Sequence, residues 1–67
     1  RMKLDKKKLE LALARSKMTV QSVAEKAGVS KNTVSGAFVR CSCKPMTAGI
    51  IAEALGVDVT EIMKTED

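Results

Sequence analysis

Between Thr19 and Phe38 the chain carries two short apolar repeats of helical spacing with a glycine between them, an arrangement that few folds accept. Thr19 is placed to cap a helix over residues 20–27, in which Val23 and Ala27 form an apolar stripe. Gly28 can take the positive φ that ends it. Ser30 is placed to cap a second helix at once. There Val34 and Ala37 point inward at i, i+3 spacing, leaving Lys31, Asn32, Thr33, Ser35 and Gly36 facing out. Ala24 is small, as required where two helices cross steeply through a turn of three or four residues.

At 67 residues the chain is expected to form one domain, residues 1–67, at a size where a single core barely suffices and helix caps must contribute. Apolar residues make up 45% and charged residues 30%, which separates it from disordered tails. Phe38 is the one aromatic residue, so the core must be built from Leu, Ile, Val and Met. Readers of RNA or of single strands, which stack bases on exposed rings, are disfavoured. Residues 1–45 carry eleven cations against three anions, whereas the remainder carries one cation, Lys64, against five anions. The net charge of +4 thus conceals a basic part suited to an anion and an acidic end that is not. No apolar run approaches a membrane span and no signal-peptide pattern is present, so a cytoplasmic protein without a membrane partner is expected. Arg1 before Met2 reads as a cloning remnant.

The same reasoning divides the rest of the chain. Asp5 caps an expected first helix over residues 6–16, with Leu9, Ala12 and Leu13 inward, and Lys17 and Met18 link it to the second. Helix three covers residues 31–39, so the helix-turn-helix spans about 19–39. Residues 40–45 lack an apolar period and end in Pro45, which predicts a loop. Thr47 is expected to cap a fourth helix over residues 48–55, with Ile51 and Leu55 inward and Gly56 as its stop. Asp58-Val-Thr-Glu61 spells a capping box for a short fifth helix ending near Lys64. Nothing reads as a strand. The expected fold is an all-α, compact orthogonal bundle of five helices.

Cys41 and Cys43 are too close in sequence for an unstrained disulfide, and with no histidine they are too few for a zinc site. Reduced thiols are expected, with a thiol-sensing role kept as a minor alternative because Arg40 and Lys44 would favour a thiolate. No nucleophile lies beside a base, and no glycine-rich phosphate loop follows a strand. Neither an enzyme nor a cofactor-binding protein is expected.

The run from Met18 through Ser35, with Thr19, Ala24, Gly28-Val-Ser30 and Val34-Ser35 at their spacings, resembles the Cro and phage-repressor type of helix-turn-helix, the Xre family. Residues 47–62, Thr-Ala-Gly-Ile-Ile-Ala-Glu-Ala-Leu-Gly-Val-Asp-Val-Thr-Glu-Ile, resemble that family's closing helices. The resemblance implies a lambda-repressor-like fold and a bacterial or phage-like regulator, with helix three in the DNA major groove and two subunits on a near-palindromic operator. Carried over by position, Lys31, Asn32, Thr33, Ser35 and Gly36 face bases, and Thr19, Ser30, Arg40 and Lys44 touch phosphate. Val57, Val59, Ile62 and Met63 fall where the family dimerises, either in solution or only on DNA. Asn32 can pair with an adenine edge, Lys31 can donate to guanine and the Thr33 methyl can meet a thymine methyl.

Three departures from the pattern stand out. Val20 occupies the place of a phosphate-contacting glutamine, and Gly36 that of a long base-reading side chain. Leu13 and Phe38 replace a buried arginine and glutamate, which predicts an apolar contact without the desolvation cost of an ion pair. The leading expectation is a transcriptional regulator that binds duplex DNA and represses by occlusion. The alternative is a helical protein-interaction module, antitoxin-like or regulator-binding, that uses helices four and five.

Overall fold

The computed structural model describes residues 1–64. The acids Glu66 and Asp67 of the acidic end lie outside the described residues. In chain order the elements are β1 (Met2–Lys3), α1 (Lys6–Ser16), α2 (Val20–Ala27), α3 (Lys31–Arg40), β2 (Ser42–Cys43), α4 (Pro45–Leu55) and a 3₁₀ turn (Val59–Glu61).

Side chains placed by their chemistry set the helix ends. Asp5 accepts from the Lys8 N–H at 3.0 Å and opens α1. Gly28, at φ 76, ends α2, and the N–H groups of Gly28 and Val29 both reach the Ala24 carbonyl. Lys17 ends α1 in the same left-handed conformation at φ 55, which a lysine adopts at a cost that glycine avoids.

Helix α2 makes its broadest contacts with α4 and α3, so α4 backs the helix-turn-helix. Leu9, Val23, Val34, Ile51 and Ile62 are the largest fully buried side chains, one from each α-helix and one just after the 3₁₀ turn. Among the described residues no polar or charged side chain is buried. Leu13 and Phe38 both lie half-buried against this core, which therefore runs without an ion pair where the related pattern has one.

Four features of the expected fold require correction. The bundle has four α-helices, because the expected fifth is a single 3₁₀ turn of three residues. The molecule is not strictly all-α: β1 pairs antiparallel with β2, Met2 opposite Cys43 and Lys3 opposite Ser42. Leu4 continues the extended path, donating to the Cys41 carbonyl at 2.8 Å and bridging to Met63, while Lys64 donates to the Lys3 carbonyl at 2.9 Å. Residues 2–5 thus form a backbone zipper between the segment after α3 and the end of the described chain, with Leu4 buried beneath it. Third, α4 begins at Pro45 behind Lys44, not behind a Thr47 cap. Proline suits the first helical position, where its φ is preset and its missing N–H would have no partner. Fourth, Asp58 caps Thr60, accepting its N–H at 3.1 Å and its hydroxyl at 2.6 Å, and does not form a box with Glu61. A turn closed by i, i+3 bonds is too short to bring the Glu61 side chain back, which lies instead 3.9 Å from Arg15.

Candidate nucleic-acid interface

Helix α3 is one residue longer than expected, reaching Arg40 and stopping at Cys41 in the left-handed conformation. Val34 and Ala37 are buried against the core. The side opposite them therefore carries Asn32, Ser35, Gly36 and Val39, with Lys31 on one flank and Thr33 and Arg40 on the other. Lys31, Asn32, Thr33 and Arg40 are exposed, whereas Ser35 and Gly36 are half-buried. The helix contains no acidic residue, so its outer face offers donors, two cations and small groups to an anionic partner.

The entrance to α3 is held by paired hydroxyls. Ser30 Oγ accepts from the Thr33 N–H at 3.2 Å and lies 2.8 Å from Thr33 Oγ1. One hydroxyl donates to the other, leaving one O–H of the pair for an outside acceptor. This arrangement turns the Thr33 oxygen toward the cap, so that its methyl is the part left for an apolar contact.

A reciprocal cap opens α2. Thr19 Oγ1 accepts from the Ser22 N–H at 3.1 Å, and the Thr19 N–H donates to Ser22 Oγ at 2.8 Å. Ser22 was legible as a helix residue but not as the partner that completes this box, since serine is less usual there than glutamate. Both pairs stand at helix N-termini, where free N–H groups and the macrodipole favour an anion. Val20, in place of the usual glutamine, packs against the core, and Gln21 is exposed.

Lys44 is exposed and sits between β2 and α4. The zipper fixes the path from Arg40 to Lys44, making this segment an ordered connection and not the open loop expected. Cys43 is buried in it, and that burial pushes its thiol up, against the opposing pull of Arg1. For Cys43 this is the reverse of an activated thiolate. Among the described residues no group of side chains could hold a metal ion, and no helix is long and apolar enough to cross a membrane.

The surface expected for dimerisation is divided. Ile62 is fully buried and belongs to the core of the single chain. Val57, Val59 and Met63 remain half-buried. A shallow groove beside them is lined by Leu11, Arg15, Val57 and Glu61, and Leu11 is 53% exposed there. Val39 was not singled out from the sequence, yet it is 77% exposed on the outward side of α3. Its position seven residues after Asn32 was the available signal, since two helical turns return nearly to the same face.

A family model for winged helix-turn-helix DNA-binding domains matches residues 3–64. The chain belongs to that family, and α2 and α3 are its helix-turn-helix. The match supports a DNA-binding regulator without singling out the Cro and phage-repressor type. No curated protein and no solved structure matches the chain.

Proposed function

We propose that this protein is a sequence-specific duplex-DNA binder of the Cro and phage-repressor kind, which regulates transcription by occluding its operator. The observation that carries this reading is the outer face of α3, an acid-free stripe opposite the buried Val34 and Ala37. Its role is binding, without catalysis or a cofactor.

In this reading α3 enters the major groove. Lys31, Asn32, Thr33 and Ser35 meet base edges, Gly36 lies on the same face, and Val39 adds an apolar contact suited to a thymine methyl. Thr19 and Ser30 offer hydroxyl and backbone donors to phosphates, and Arg40 and Lys44 supply charge on the same part of the molecule. Two copies occupy a near-palindromic operator, meeting through Val57, Val59, Met63 and the exposed Leu11, with Arg15 and Glu61 beside them.

Selection of bound sites from random duplex DNA, followed by salt titrations, tests this reading. Asn32→Ala is expected to relax one position of the selected site at a cost of about 1–3 kcal/mol. Lys44→Ala is expected to weaken all duplexes alike and reduce the salt slope by about one. Binding that does not respond to salt, or a selection that returns no preferred sequence, would contradict the reading. In that case the groove at Leu11 and Val57 favours a module that binds another protein.

A further inference from the structure

The Arg40 guanidinium lies over Gly36 on α3, closer than a side chain at residue 36 would allow without displacing it. A Cβ placed on Gly36 would lie 3.0 Å from Arg40 Nη2, 3.2 Å from Nη1 and 3.4 Å from Cζ. The arginine therefore runs back toward the helix N-terminus, the natural direction for a helical side chain, and brings its charged end over bare backbone one turn earlier. There it has no carboxylate partner among the described residues, where the ion pair found joins Arg15 to Glu61. A glycine inside a helix is otherwise unfavourable. At this position it is compensated by the placement of a guanidinium near the middle of the outward face.

We propose that Gly36 and Arg40 form one base-reading unit, in which the glycine seats the guanidinium so that it meets a guanine in the major groove instead of a phosphate. The inference rests on the duplex-DNA reading and deepens it. A guanidinium presents two parallel N–H donors that match guanine O6 and N7. An arginine extended from the last turn of a helix would swing freely and suit a phosphate. Lying back over Gly36, this guanidinium already stands on the outward face where a base edge would meet it. The apparent loss of a base-reading side chain at Gly36 is then a transfer of that task to the residue one turn later.

The test compares Gly36→Ala, Arg40→Ala, Arg40→Lys and the Gly36→Ala/Arg40→Ala double variant. Each is measured by site selection, by affinity for the site that the unmodified protein selects and by thermal melting. The unmodified protein is expected to select a guanine at one position of each half-site. Gly36→Ala is expected to relax that position and lower affinity for the selected site about tenfold, within the range of one bidentate contact. Its melting temperature should not fall, since alanine is the better helix former. Arg40→Lys should relax the same position, because lysine keeps the charge but not the fork. The double variant should bind no worse than Arg40→Ala.

Arg40 would instead be a phosphate contact if Arg40→Lys kept both affinity and preference while Arg40→Ala weakened all duplexes equally. An unchanged preference in a well-folded Gly36→Ala protein would overturn the seating role. If the unmodified protein showed no salt-sensitive duplex binding, the function reading itself would fall and the unit with it. If it bound duplex DNA but selected no guanine, only the unit would fall.

Discussion

Lys17 and Cys41 hold the left-handed conformation in which a Cβ is crowded, each at the end of a helix. They are not equivalent. Cys41 is half-buried and its Sγ lies 3.4 Å from the Phe38 carbonyl, whereas Lys17 is exposed and its side chain can be removed without disturbing a neighbour. Lys17→Gly is therefore expected to stabilise the protein by about 0.5–1 kcal/mol, after allowing for the freedom that glycine adds to the unfolded chain. Thermal melting should show this as a rise of several degrees. An unchanged or lower midpoint would mean that the lysine charge at the end of α1 outweighs the backbone relief. The thiols show how a residue's position overrides its sequence neighbours. Arg40 and Lys44 beside Cys43 suggested activation, but its path through the zipper buries the sulfur and raises its pKa.

At the scale of elements, the closing 3₁₀ turn is held by one carboxylate. The Asp58 carboxyl is lowered below its ordinary value, first by the Thr60 hydroxyl and then by the Thr60 N–H, with slight desolvation opposing them. A carboxyl lowered in this way stabilises the fold at any pH above its ordinary value, about 3.9, and ceases to do so as pH falls through its folded value. Asp58→Ala is thus expected to lower the melting temperature at neutral pH, with the gap from the unmodified protein narrowing toward pH 2. An equal gap at both pH values would place the stabilisation elsewhere. The first three helices were readable because each combines an apolar period with a capping residue: Asp5, Thr19 and Ser30 all accept the expected N–H. The start of α4 differs from the expected one because Pro45, which bars a preceding helix, also begins the next. The ribbon was not readable at all. Two residues in each strand cannot display an alternating pattern, and their pairing joins Met2 to Cys43 and Lys3 to Ser42, far apart in sequence. Likewise, the use of Gly36 depends on where Arg40 lies, which spacing alone does not specify.

For the whole molecule, the decisive residue is Leu4, 2% exposed and covered by backbone hydrogen bonds to both flanking segments. Leu4→Ala is expected to cost about 2–5 kcal/mol, much of what a single core of this size supplies. Denaturant titration should show a largely unfolded population even in mild conditions. A loss below about 1 kcal/mol would mean that the zipper closes without its buried side chain.

The zipper also sets the order in which the molecule can be completed. Helix α2 packs on α3 and α4, contacts that can form once α4 has been made. The bonds from Lys3 and Asp5 to Lys64 and Ile62 cannot form until nearly the whole described chain has left the ribosome. A synthesis cut short after α4 would retain the helix-turn-helix but leave Leu4 uncovered on one side. Residues 62–64 thus act as a completion check on a surface they do not themselves contain.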